Sequence, residues 1–103
     1  MKLAEKIHTD GRRFFSYPFR VYYLPCGEAE MPVRIFSVPK KLFKRAVRRN
    51  LIRRRTREAF RHLKKEEYPA LDGMHIMLVY TATEILDYGA ITEGLSGALG
   101  KIS

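Results

Sequence analysis

Residues 40–61, KKLFKRAVRRNLIRRRTREAFR, place two demands on the fold at once. The segment sets eleven Lys and Arg side chains against one acid, Glu58, and contains no Gly or Pro, so it predicts one rigid helix over residues 40–61. At about 100° per residue, Ile52, Thr56, Ala59, Phe60 and Leu63 share one arc, which has to dock on an apolar layer. Asn50, Arg54, Arg57 and Arg61 fall nearly opposite as one polar, cationic stripe, with Arg49 and Arg53 flanking it and Arg45 extending the charge toward the N-terminal end. The helix is apolar behind and cationic in front.

That stripe is more than a solvated surface. Helices that merely face water interleave Glu with Lys for i, i+4 pairing, and here Glu58 stands nearly alone. Arg outnumbers Lys, which favours forked contacts to phosphate oxygens. Lys40, Lys41, Lys44 and Arg45 also crowd the positive end of the expected helix dipole, unfavourable by roughly a few tenths of a kcal/mol each. A net charge of +9 and a pI near 10.0 add fast, salt-sensitive association with phosphate-rich partners. The segment calls for a folded nucleic acid.

With 103 residues, the chain is expected to be a single domain over 1–103 with one modest core. Its hydrophobic content of 46% suffices to offset the entropy of ordering, which excludes wholesale disorder. Residues 2–9 predict a short, uncapped amphipathic helix stopped by Asp10-Gly11. Residues 14–24 have strand character, with Pro18 expected to confine any paired strand to the part after it. Phe19, Val21 and Tyr23 then face one way and Arg20, Tyr22 and Leu24 the other. Residues 33–38 are a second strand, expected to pair antiparallel with the first across a longer hairpin loop. After the basic helix and a polar loop, MHIMLVY at 74–80 suits a central strand buried on both faces. A last helix is expected over about 84–101. The order strand, basic helix, strand predicts a βαβ unit preceded by a hairpin, hence an α+β or α/β sandwich with a small mixed sheet.

Little in the chain points to catalysis by its own side chains. Asp10, Glu28, Glu30, Glu66, Glu67, Asp72, Glu84, Asp87 and Glu93 are scattered through turns and polar exits, and no paired carboxylates or Ser/His/Asp set emerges. His8, His62 and His75 lack ligand-like spacing, so no metal site is expected. Lone Cys26, between Pro25 and Gly27, reads as an incidental loop thiol in a reducing compartment. No apolar stretch approaches the ~20 residues that span a bilayer, and the first residues lack a signal-peptide core. The expectation is a cytoplasmic protein with no membrane partner.

The order of residues in the basic segment resembles a known family. Lys40-Lys41, Arg45-Ala46-Val47-Arg48-Arg49-Asn50, Arg53-Arg54, Arg57-Glu58 and Phe60-Arg61 are similar to the signature of the protein subunit of bacterial ribonuclease P, approximately K-K … A-V-x-R-N-x-x-K-R-x-x-R-E-x-F-R. Arg53 stands where the family commonly has Lys, and the charge is kept. The similarity extends from Gly11-Arg12-Arg13-Phe14 through Tyr80 and is weak beyond. It implies a small α/β sandwich like the second domain of a ribosomal small-subunit protein, with a left-handed βαβ crossover against the usual right-handed rule.

The resemblance implies assembly with a catalytic RNA subunit that removes the 5′ leader of precursor tRNA. The RNA would carry the chemistry with Mg²⁺, the protein supplying neither catalytic residue nor metal ligand. Lys40, Lys41, Arg45, Arg49, Asn50, Arg53, Arg54, Arg57 and Arg61 are the expected contacts to the RNA subunit. Arg20, Tyr22, Phe15 and His8 are the expected contacts to the single-stranded leader, by stacking beside basic groups. The family tends to carry a Phe in the first helix where this chain has Ile7 or His8, and the family's basic segment upstream is missing, so a chain short at its N-terminus is expected. The alternative is a ribosomal-type structural RNA-binding protein; a helix-turn-helix DNA binder fits less well, because a strand ends at Pro39 where a first helix is needed.

Overall fold

The computed structural model describes residues 2–27 and 29–102, with the backbone alone for Lys65. Four strands form one mixed sheet in the order β1-β2-β4-β3, with β1 at Arg12–Ser16, β2 at Phe19–Pro25, β3 at Arg34–Ser37 and β4 at Met74–Tyr80. Three helices complete the α+β fold: α1 at Leu3–Asp10, α2 at Ala46–Arg61 and α3 at Tyr88–Leu99. β3, α2 and β4 are the expected βαβ unit, its two strands adjacent and parallel.

β4 is central because it has no polar face to expose. Its Ile76, Leu78 and Tyr80 join Phe19 and Val21 of β2 in the larger core, which α2 and α3 close with Ile52, Ala59, Ile91, Leu95 and Leu99. Met77 points to the other side, where it meets Tyr22 and Ile7 beneath α1. Ile7 is fully buried, and burial of such a side chain contributes about 2 kcal/mol toward holding this short helix on β2 and β4. The alternation in β2 follows expectation, with Phe19, Val21 and Tyr23 in the larger core and Tyr22 and Leu24 under α1.

Strand pairing departs from the sequence reading in two places. Pro18 does not restrict pairing to the residues after it: β1 and β2 form an antiparallel hairpin in which Ser16 faces Phe19, joined by Tyr17 and Pro18. The missing N–H of Pro18 falls in the two-residue connection, outside the ladder, so the hairpin loses no bond. β2 and β3 do not pair with each other, because β4 lies between them, antiparallel to β2 and parallel to β3. A strand that buries both faces is best used in the interior of a sheet, and that preference displaces the simpler hairpin.

Helix boundaries move as well. The basic helix begins at Ala46, since residues 40–45 form a turn in which the Leu42 N–H donates to the Pro39 carbonyl at 3.1 Å and Phe43 packs on Tyr80 with ring centroids 6.2 Å apart. A later start keeps Lys40, Lys41 and Lys44 out of the first helical turn, where the helix dipole would oppose them. The last helix begins at Tyr88, because Asp87 caps it by accepting the Ala90 N–H at 2.8 Å. Residues ahead of this cap are held by the buried Tyr80 hydroxyl, which donates to the Glu84 carbonyl at 2.7 Å and accepts the Leu86 N–H at 3.1 Å. Two short 3₁₀ turns, Lys65–Glu67 and Pro69–Gly73, replace the expected polar loop. Gly94 lets α3 approach the β1-β2 connection, since a Cβ there would meet the Pro18 ring and lie 2.8 Å from the Tyr17 carbonyl oxygen.

Candidate nucleic-acid interface

α2 divides as its spacing requires. Ile52, Thr56 and Ala59 are buried, Phe60 and Leu63 half-buried, while Asn50, Arg54, Arg57 and Arg61 are all exposed on the opposite side. The Thr56 hydroxyl donates to the Ile52 carbonyl at 2.8 Å, so the one polar group on the docking face is satisfied within the helix. Val47, Arg48, Asn50, Leu51, Arg53, Arg54 and Arg57 line an open trough along the exposed side.

The cations of this helix are not equivalent. Arg54 and Arg57 make no hydrogen bond or ion pair among the described residues, and their guanidinium groups are available to an incoming anion. Arg61 is bound to Glu58 at 3.0 Å, and His62 lies 3.3 Å from the same carboxylate, so the lone acid of the segment is already engaged. Arg53 donates to the Asn50 side-chain oxygen at 2.8 Å, which leaves the amide N–H groups of Asn50 as its free donors. Arg49 is half-buried and turned inward; its guanidinium donates to the carbonyls of Phe43 and Lys44 at 2.7 and 2.8 Å. It ties the turn at 40–45 to the first turn of α2. Arg45 is the residue before that first turn, and with Lys40 and Lys41 it is exposed on the approach to the helix.

Two further arginines are structural, and neither role follows from spacing alone. Arg55 donates to the Leu86 carbonyl at 2.7 Å, joining α2 to the segment ahead of α3. Arg34 donates to the Leu71 carbonyl at 2.6 Å and to that of Met74, with its guanidinium 5.5 Å from the centre of the Phe60 ring. Burial lowers its pKa from the ordinary guanidinium value, with nearby Asp72 opposing the shift, and it stays cationic at neutral pH.

A second basic and aromatic surface lies on the α1 side of the sheet. The register sets Arg13 opposite Tyr22 and Phe15 opposite Arg20, and alternation puts all four on one face. Arg13, Arg20 and Phe15 are exposed, Phe15 at 55%, and together with Phe14 they line a shallow concavity. Phe14 itself turns to the larger core. Tyr22 is only 4% exposed, because His8 of α1 lies over it with ring centroids 5.0 Å apart. The four leader candidates, His8, Phe15, Arg20 and Tyr22, therefore share one side of the sheet, with Tyr22 as floor and the rings of His8 and Phe15 exposed. Arg13 belongs with them and was missed in the sequence, because only a paired β1 reveals its face.

His75 is buried and structural in its bonding. Its Nδ1 accepts the Val33 N–H at 3.1 Å, so the ring proton sits on Nε2 and is donated to the Glu30 carboxylate at 3.1 Å. Glu30 also accepts the Gly27 N–H at 3.1 Å. Among the described residues, no group of three or more His, Cys, Asp or Glu is placed to hold a metal ion, and no helix is long and apolar enough to cross a membrane.

Known proteins share both the sequence and the fold. The profile of the Ribonuclease P family matches residues 5–103. A ribonuclease P protein component of Porphyromonas gingivalis is 42% identical over 110 residues, covering 98% of this chain and 80% of its own, and one of a Picosynechococcus species is 38% identical over 80 residues, covering 76% and 66%. A solved structure of the RNase P protein from Thermotoga maritima superposes with a TM-score of 0.82 at 24% identity, covering 99% of this chain and 93% of that one.

Proposed function

The chain belongs to the ribonuclease P protein family, and from that premise we propose that α2 docks on the catalytic RNA subunit while the α1 side of the sheet receives the 5′ leader of precursor tRNA. RNA binding and tRNA processing follow from the family, as does a place in a ribonucleoprotein endoribonuclease. The observation that carries the division of labour is the segregation of α2, with Ile52, Thr56 and Ala59 buried and Asn50, Arg54, Arg57 and Arg61 exposed.

On this reading, Arg54 and Arg57 are the primary phosphate clamps, because neither must break an internal bond first. Arg53, Arg61 and Asn50 contribute after exchanging partners, with the Asn50 amide donating to backbone or base-edge acceptors. Lys40, Lys41 and Arg45 extend the cationic track at the helix approach. Arg49 acts chiefly by holding the turn that presents them. The leader crosses the sheet over His8 and Phe15, whose rings offer sequence-tolerant stacking, with Arg20 and Arg13 beside its phosphates.

The described residues offer no oxygen-rich cluster suited to Mg²⁺, so the fit of that ion to this chain is poor. We assign its binding to the RNA, and the work of the complex to the cytoplasm. Chemical footprinting of the reconstituted complex tests the division: RNA-subunit phosphates protected by the parent protein should lose protection with Arg54→Ala and Arg57→Ala, and leader nucleotides with Phe15→Ala. Loss of leader protection on changing the α2 arginines alone would reverse the assignment.

A further inference from the structure

A groove between α2 and the start of α3 adjoins the exposed stripe of α2 and lies apart from the surface on the α1 side of the sheet. It is lined by Arg54, Arg55, Glu58 and His62 of α2 and its vicinity, and by Tyr88, the first residue of α3. At about 100° per residue, Arg55, Glu58 and His62 fall on the flank of α2 beside Arg54, on the side away from Arg57 and Arg53. Arg54 is therefore shared between the exposed stripe and this groove.

Tyr88 is the unexplained element. It is 41% exposed although the chain on both sides of it is fixed. Two residues earlier, Leu86 donates its N–H to the Tyr80 hydroxyl at 3.1 Å and receives the Arg55 guanidinium on its carbonyl at 2.7 Å. Asp87 caps the helix, and the Tyr88 carbonyl accepts the Thr92 hydroxyl at 2.8 Å. An aromatic ring held on so rigid a base and left open to solvent contributes little to the core. It loses little entropy when a flat partner stacks on it.

The charges around the ring select that partner. Glu58 is the one acid lining the groove, and its carboxylate is already bound to Arg61 and adjacent to His62. Arg54 and Arg55 leave the groove cationic. We propose that this groove binds one unpaired nucleotide of the RNA that α2 engages, its base stacked on Tyr88 and its phosphate on Arg54. The interface thus extends from α2 onto α3, and the inference rests on the reading of α2 as an RNA-docking helix.

The chain contains no Trp, so Tyr88→Trp places a unique fluorophore in the groove. Titration of that variant with ribonuclease P RNA should quench its emission through stacking. Tyr88→Ala should weaken RNA affinity about tenfold, as expected for one stacked base, with an unchanged salt slope, while Tyr88→Phe stays within about twofold of the parent. Equal melting temperatures of parent and variants exclude a folding defect. If Tyr88→Ala binds normally and Tyr88→Trp is not quenched, while Arg54→Ala with Arg57→Ala still weakens binding, the groove proposal fails and the α2 reading stands. If the arginine pair is silent too, both fail. Emission that changes with protein concentration and ignores RNA would identify a second copy of the chain as the occupant and overturn the proposal.

Discussion

His8 covers Tyr22, their ring centroids 5.0 Å apart and their planes inclined by 33°. This stack makes Tyr22 part of a small second core with Ile7 and Met77, and only its neighbours are free to meet a ligand. Tyr22→Ala should therefore destabilise the protein by about 3 kcal/mol, as deletion of a buried ring does, and loosen α1. Urea unfolding measures it; a loss below about 1 kcal/mol would mean that Tyr22 is a free surface residue.

Phe15→Ala should behave in the opposite way. The ring is 55% exposed, so stability should change by less than about 0.5 kcal/mol. Substrates with a leader should show a raised KM, equivalent to about 1 kcal/mol of lost stacking. A substrate without a leader should be unaffected. Comparing the two substrates in steady-state cleavage checks this, and an equal effect on both would remove Phe15 from the leader path.

Arg54 and Arg49 should separate binding from folding. Arg54→Ala combined with Arg57→Ala should flatten the dependence of log affinity on log salt by roughly one phosphate contact per Arg, at unchanged stability. Arg49→Ala removes the donor to the Phe43 and Lys44 carbonyls and should cost about 1 kcal/mol of stability or more. RNA titrations across a salt series, with thermal melts alongside, distinguish the two. An unchanged salt slope for the Arg54, Arg57 pair would contradict the docking face.

Glu30 gives the fold an acid sensitivity. The Gly27 N–H, and after it the His75 ring, hold its pKa below the ordinary 4.5. Its contribution is complete above the unfolded value and is lost as the pH falls through the lower folded value. Glu30→Gln should be less stable than the parent at pH 7, and the difference should shrink below about pH 4.5. Melting curves from pH 7 to pH 3 test this, and a constant difference would contradict it.

The two faces of α2 and of β2 were legible in the sequence because a helix and a strand each repeat with a fixed period, so burial of Ile52 or Phe19 fixes the exposure of Arg54 or Arg20. The two-sided burial of β4 was legible from MHIMLVY for the same reason. What escaped depended on partners distant in the chain. Pro18 looked like a strand breaker until the connection around it closed a hairpin. β2 and β3 looked like neighbours until β4 came between them. Arg49 looked like one more cation of the basic face and Arg55 was merely one of the eleven counted in residues 40–61, and only the fold reveals the carbonyls of Phe43, Lys44 and Leu86 that they serve. Charge counts identify a polyanion partner, but they do not sort arginines that bind it from arginines that hold the scaffold.

The central claim is that this chain serves a catalytic RNA. The purified protein should be added to a bacterial ribonuclease P RNA with precursor tRNA, and 5′ leader removal followed as Mg²⁺ is lowered. The account predicts cleavage at Mg²⁺ concentrations where the RNA alone is inactive, with the gain abolished by Arg54→Ala combined with Arg57→Ala. A protein that binds the RNA yet leaves its Mg²⁺ requirement unchanged would contradict it.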